Sequence, residues 1–336
     1  MFNKIYNKVK EYIQENYKFL VVVCVLLIIF RIPVNCYIIT GGGTFSAGSR
    51  IEVEDGYKSK GSLNLAYVSE LEGNLLTYLL SYIIPSFERE NLSDYQANDT
   101  ESVEDINFRS SLMLKNANNN AIKAAYTRAG KELVEKERKN YIIYTIKGDN
   151  TNLKVGDEII SIDQKKYKDL EEVREYIKTL KENDVINFKV RRNNKILNKT
   201  AKIYKEDDTL YAGIGMETFI TYDIDPDVKF KFKSSESGPS GGLISALEIY
   251  NQLIKEDITK NRKIVGTGTI ESDGTVGSID GIKYKLKGAV KAKADIFLAP
   301  AGRNYNEALK EKKKHNYKIK IISVKTFDEA IEKLGN

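Results

Sequence analysis

The chain has 336 residues but only one histidine and two cysteines. With one histidine, a His-rich metal site is excluded. A Ser-His-Asp triad would have to take His315 as its base, and His315 follows the lysine-rich run at 310–314, which reads as a solvated helix face. Cys24 and Cys36 share one apolar stretch, so no cysteine cluster binds zinc. No cysteine follows residue 36, so that part needs no disulfide and tolerates either redox compartment. The pattern GxxxxGK[ST] is missing, which leaves no nucleotide motor in this chain. The 53 basic and 47 acidic residues, net +6, are interspersed. No basic stripe with interleaved aromatics exists, so a nucleic-acid partner is not expected. Neither is a cofactor or a metal.

What is present divides along the chain, which is long enough for two or three domains. Residues 1–18 are polar and helix-prone. Residues 19–30 form an unbroken apolar run, and after Arg31 residues 32–39 continue it less purely. Taken as 19–39, the segment is long enough to cross a hydrocarbon core of ~30 Å as a helix. Arg31 costs ~2.5–3.5 kcal/mol, which the rest of the span outweighs. No small-x-small cleavage site follows closely, and no small residue precedes Cys36, so an uncleaved anchor is expected rather than a signal peptide or a lipoprotein. Lys4, Lys8, Lys10 and Lys18 place the N-terminus in the cytoplasm and the rest of the chain outside. Gly41-Gly42-Gly43 reads as a flexible exit from the membrane.

Further on, residues 63–68 are a candidate strand, and 71–84 a helix stopped by Pro85 that either packs on the main body, the preferred reading, or lies in the membrane interface, where tyrosines are favoured. Residues 88–105 read as a polar loop, and 110–129 as a helix passing an Asn-rich turn or cap at 116–120. Strand signals recur at 141–147, 158–163, 185–191 and 196–203, with a helix at 170–180. From residue 211 the pattern alternates: strands at 229–233, 263–270, 296–299 and 319–324, and helices at 282–293, 304–314 and 327–334. The fold class is α+β and multidomain.

The chemistry points to Ser234-Ser235-Glu236-Ser237-Gly238-Pro239-Ser240-Gly241-Gly242. This reads as a strand end and a tight turn, followed by a helix with Leu243, Leu247, Tyr250 and Ile254 at helical spacing. Two readings stand. Ser240 is either the N-cap of that helix, with glycines for the turn, or a nucleophile placed where orphan N–H groups and the helix dipole favour an oxyanion. A serine nucleophile needs a base. Free lysine titrates at ~10.4, and complete burial lowers that by ~3–5 units, so a buried neutral lysine can serve. Periodicity leaves both Lys283 and Lys285 on the edges of the apolar face of the 282–293 helix.

Two resemblances follow from these residues. Leu153-Lys154-Val155-Gly156-Asp157-Glu158-Ile159-Ile160-Ser161-Ile162-Asp163 resembles the L-x-x-G-D-x-I-x-x-I-x-G stretch of PDZ domains, which bind extended peptides at a sheet edge. Gly238-Pro239-Ser240-Gly241-Gly242, Gly266-Thr267-Gly268-Thr269-Ile270, Gly274-x-Val276-Gly277 and Gly281-Ile282-x-x-Lys285 resemble, in that order, the proteolytic domain of Lon proteases. Together the chain is similar to the membrane-anchored PDZ-domain Lon-like proteases of Gram-positive bacteria, which lack an ATPase module. The chain departs from the pattern at three places. Ser237 stands where cytosolic Lon has an acidic residue, with Glu236 beside it as a substitute. Gly241 stands for the usual alanine, and Asp280 for a glycine.

The resemblance implies a Ser-Lys dyad of Ser240 and Lys285, with Thr267 orienting the lysine and Gly238, Pro239 and Gly241 shaping the turn and oxyanion site. It implies a cytoplasmic N-terminus (1–18), an anchor (19–39), an extracellular segment packing on the protease (40–131), a PDZ-like β-sandwich or barrel with helices (132–205), and a Lon-type domain of the ribosomal S5 domain 2-like α+β kind (206–336). The activity implied is ATP-independent cleavage of peptides or unfolded proteins at the outer face of the cell membrane. Lon-type domains form rings, so a homo-oligomer is implied as well. The rival class is an inactive PDZ scaffold or membrane chaperone. A third reading is a secreted hydrolase using His315.

Overall fold

The computed structural model describes residues 2–99, 101–146 and 150–335. Its elements begin with α1 (Phe2–Ile29), β1 (Pro33–Ser46), β2 (Ile51–Val53), β3 (Ser62–Asn74), α2 (Leu75–Leu80) and β4 (Glu88–Asn91). Next come α3 (Val103–Ala129), β5 (Leu133–Thr145), β6 (Glu158–Ile162), α4 (Leu170–Lys178), β7 (Val185–Arg192), β8 (Lys195–Lys202), β9 (Tyr204–Glu206), β10 (Thr209–Tyr211) and β11 (Ile214–Ile224). The remainder is β12 (Val228–Phe230), α5 (Gly242–Leu253), β13 (Lys263–Gly266), β14 (Thr269–Ile270), β15 (Val276–Gly277), α6 (Ile282–Lys291), β16 (Ile296–Pro300), α7 (Arg303–Lys314), β17 (Lys320–Val324) and α8 (Phe327–Gly335). The chain forms two compact units. One holds residues up to Gly41 with Val68–Tyr95, the other Gly42–Tyr67 with everything from Gln96 onward.

In the first unit, Ile5–Ile29 of α1 is long and apolar enough to cross a membrane. The helix does not reach Ile39 as expected. Pro33 lacks an N–H and disfavours helical backbone at Ile32, so the chain turns at residues 30–32 and becomes β1. Cys36 to Ile39 then pair antiparallel with β4, and Ile38 and Ile39 are buried. The residues expected to finish the span are therefore buried within a β-sheet. The expected helix at 71–84 is shorter. Residues 71–74 belong to β3, and α2 starts where Asn74 and Thr77 exchange a reciprocal capping box,. None of its residues is buried. The expected loop at 88–105 contains β4 and the start of α3.

In the second unit, β3, β13, β16 and β17 run parallel in the order β17-β16-β13-β3, with β1 beside β3. β16 is buried at every residue, as a central parallel strand covered on both faces should be. Side chains alternate between two cores. Ile264, Ile296, Leu298 and Val324 join α3, α5 and α8, while Val265, Phe297 and Ala299 join α6 and α7. β3 lies within the segment expected at 40–131, so that segment supplies a strand of this sheet. α3 is one continuous helix through the Asn-rich stretch. Asn116 donates to Glu217, and Asn120 Nδ2 donates to Ile270 O at 3.0 Å, so these side chains hold neighbouring strands instead of breaking the helix. The expected 263–270 strand is interrupted at Thr267 and Gly268, between β13 and β14.

The same unit contains an antiparallel sheet of order β11-β5-β6-β7-β8. Val173 and Ile177 of α4 close its core with Phe188, Val190 and Met216. Of the strand expected at 141–147, Lys147 lies outside the described residues, and β5 begins earlier, at Leu133. β11, beyond the limit expected at 205, pairs with β5 from Ile214↔Thr145 to Ile224↔Leu133.

Candidate functional site

Gly238 has φ +87, a conformation that favours glycine, and its N–H donates to Ser110 O of α3 at 3.0 Å. Pro239–Gly241 then make one 3₁₀ turn, and α5 begins at Gly242. Gly241 holds the N-cap position of α5, and no side chain caps either helix. The capping reading of Ser240 thus loses its hydrogen bond. The Ser240 carbonyl is fixed twice, by Gly268 N–H at 2.8 Å and by Thr267 Oγ1 at 3.0 Å. Leu243 N–H returns to Gly268 O at 3.1 Å. Thr267 is fully buried. Its hydroxyl proton goes to the serine turn, and its oxygen keeps lone pairs able to accept from an amine. Gly241 lies against Leu65. A methyl there would meet Leu65 Cδ2 at 2.3 Å, so an alanine would require Leu65 to move.

The structure separates the two candidate lysines. Lys285, in the second turn of α6, is 5 % exposed, whereas Lys283 is exposed with Nζ 4.6 Å from the centre of the Tyr284 ring. Ile282 and Leu286, either side of Lys285, pack in one core with Val265 of β13. The serine turn is held by Thr267 and Gly268, just past the end of β13, and α6 shares a core with Val265 of that strand. Gly281, at φ +71, starts α6, and Asp280 before it accepts from Arg303 Nη2 at 3.0 Å.

Two features here were not read from sequence. Gly42 and Gly43 are not a flexible exit. A Cβ on Gly42 would sit 2.2 Å from Tyr284 O, and one on Gly288 would sit 2.9 Å from Gly43 N. The glycines let β1 lie flush on the helix that carries Lys285. The second feature is Arg50. Its guanidinium holds Glu236 with two bonds, Nη2–Oε1 at 2.6 Å and Nε–Oε2 at 2.7 Å. This pairing, helped by Lys233 N–H, keeps the Glu236 carboxyl below its usual range. Arg50 also stacks over Phe45, 5.1 Å from its centre. Glu236 thus anchors the loop ahead of Ser240 to β2's neighbourhood. No local signal marks a partner 186 residues away.

His315 is exposed at the end of α7, with Nε2 3.3 Å from Glu311 and its ring stacked on Tyr317. It belongs to the helix's own surface. Among the described residues no group of His, Cys, Asp or Glu is arranged to hold a metal ion.

The PDZ domain family model matches residues 130–203, so the chain contains a PDZ domain. Among solved structures, the second domain of the Listeria protein Lin2157 matches at 24 % identity over 27 % of this chain and 88 % of that one, with a TM-score of 0.19. No curated protein matches. In this domain Asp157 is fully buried and paired with Arg192 through two bonds of 2.6 Å. Gln164, where the PDZ pattern carries glycine, takes φ +67, and Asp163 before it, at φ +44, accepts from the Tyr176 hydroxyl at 2.6 Å. β11 is the edge strand nearest α4, whose Val173 and Ile177 share a core with Met216. Residues 218–222, Thr-Phe-Ile-Thr-Tyr, were a strand signal in their own right.

Proposed function

We propose that this chain is a membrane-anchored, ATP-independent serine endopeptidase whose PDZ domain presents or gates substrate. Ser240 is the nucleophile and Lys285 the base. The observation that carries the reading is the burial of Lys285 beside the exposure of Lys283, on a helix that shares a core with β13, the strand that leads into the Thr267-Gly268 stretch holding the Ser240 turn. Lys285, neutral, takes the Ser240 proton as Oγ attacks the peptide carbonyl. The N–H groups of Gly242 and Leu243 are already occupied, so oxyanion donors fall to the turn at Ser240 and Gly241. The protonated amine then passes its proton to the leaving nitrogen, and water releases the acyl group by the reverse route. An extended substrate segment would add to the free edge of β11 beside α4, the mode by which PDZ domains take peptides. The N-terminal lysines favour a cytoplasmic N-terminus, with the catalytic part outside.

The test is the full chain in nanodiscs with unstructured casein and no ATP. Cleavage is expected, and Ser240→Ala and Lys285→Ala are each expected to lose it by a factor of about 10³ or more. Activity persisting in either variant removes that residue from the dyad. The scaffold reading draws on the PDZ domain, and would be favoured by tight peptide binding with no cleavage and no labelling of Ser240 by a serine-reactive probe. Retained activity in Lys285→Ala with loss in His315→Ala would instead favour the histidine hydrolase.

A further inference from the structure

We propose that the hairpin at residues 75–87 is a second membrane contact, lying in the headgroup layer of the bilayer that α1 enters, with Arg89 at its phosphate level. The proposal rests on α1 being a membrane helix. Residues 75–87 carry no charged side chain, and Leu76, Leu79, Tyr82 and Ile83 are exposed, the last two at 64 % and 75 %. Four large apolar side chains on one short turn make a patch that water alone does not explain.

What covers the patch follows from where it is tied. Leu75 N–H donates to Ile32 O at 2.9 Å, three residues past the end of α1. Gly73 lies so close to β1 that a Cβ there would meet Cys36 O at 2.4 Å. Three residues of chain span at most about 10 Å, and the polar layer on each side of the hydrocarbon is about 5–8 Å deep. A hairpin that starts there lies at the depth of the layer where α1 leaves the membrane. Its chemistry suits that depth. Tyr78 and Tyr82 have apolar rings with polar tips, the pair favoured at interfaces, and their hydroxyls bond each other at 3.0 Å. The exposed Arg89 stacks over Tyr82 at 4.0 Å and Tyr78 at 5.4 Å, and makes no ion pair among the described residues. Its exposed guanidinium can meet lipid phosphate while its planar face rests on the rings. A short interfacial element of this kind adds a second attachment to a single helix, which holds the protein at one depth.

The chain has no tryptophan, so one introduced indole reports alone. The full chain carrying Ile83→Trp, or the milder Tyr82→Trp, is placed in vesicles of phosphatidylcholine and phosphatidylglycerol with brominated acyl chains. Val25→Trp marks the membrane helix. The expected result is blue-shifted emission and quenching by the brominated lipid for Ile83→Trp and Tyr82→Trp as for Val25→Trp, with protection from aqueous iodide. Adding Arg89→Glu is expected to weaken the quenching at residue 83. Quenching at residue 25 without quenching at 82 and 83 would overturn the proposal. So would blue-shifted emission at 83 that brominated lipid leaves unchanged, which would mean that protein covers the patch. No quenching at residue 25 would show instead that α1 does not enter the bilayer, and the proposal would fall with that premise.

Discussion

At the scale of single residues, burial assigns roles that side-chain type alone leaves open. Lys283 and Lys285 are equivalent on a helical wheel, and only packing leaves one exposed and buries the other. Glu248 shows the same effect with opposite charge. It lies in α5, buried, with one hydrogen bond from Gln252 Nε2 at 2.7 Å. Desolvation, against that bond and with Asp257 adding repulsion, pushes its carboxyl up to about 7. The folded chain then holds this proton up to about pH 7, whereas an exposed glutamate releases it near ~4.3. Between those values the folded state binds more protons, so this group makes stability fall as pH rises through that window. Glu248→Gln keeps the acceptor for Gln252 and removes the charge. It is expected to raise unfolding stability by about 1–3 kcal/mol at pH 8 and by nearly nothing at pH 4.5. An equal gain at both values in urea unfolding would show that the cost is not ionisation.

At the scale of elements, close backbone approach decides what glycine is for. Gly41-Gly42-Gly43 has the composition of a linker, but Gly42 and Gly43 form the flat back of β1 against α6, matched by Gly288. A side chain at Gly288 meets backbone, which cannot rotate away. Gly288→Val is therefore expected to cost about 1–3 kcal/mol or more by overpacking and to lower labelling of Ser240 by a serine-reactive probe. Gly335→Ala serves as the control, since a Cβ there meets nothing within 4 Å and the residue has no positive φ. Unchanged stability and labelling in Gly288→Val would mean that β1 does not support α6. α1 teaches a related lesson. Its apolar content was legible, its end was not, because Pro33 outweighs the hydropathy of residues 34–39 by removing a helical hydrogen bond.

At the scale of the whole molecule, the PDZ sheet is closed off by a strand from beyond the segment that carries its sequence pattern. β11 pairs with β5 along its length, and Leu133 and Ile224, opposite each other at the base, pack on the core shared with α5. Excising 132–205 would strand β11 with an open edge, and is expected to give aggregated protein. Replacing 138–220 with a two-residue Asn-Gly turn keeps the base of the ladder, and is expected to give soluble, folded chain by size-exclusion chromatography and circular dichroism. Equal solubility of the two deletions would show that β11 does not need β5.

By itself the sequence determined the kinds of local structure and several of their positions. Hydrophobic period marks β6 to β8 and α4 to α8, the Gly-Pro-Ser turn ahead of α5 is visible as punctuation, and the apolar N-terminal run is visible as composition. Those signals are local, because a residue's neighbours within a few positions set its backbone preference and its exposed face. Tertiary structure alone decided which lysine is buried, that Arg50 reaches Glu236, that Ile38 and Ile39 enter a protein core rather than lipid, and that β11 completes the sheet of β5. Each of those is a pairing between segments far apart in the chain. Periodicity reports that a face is covered but carries no information about what covers it.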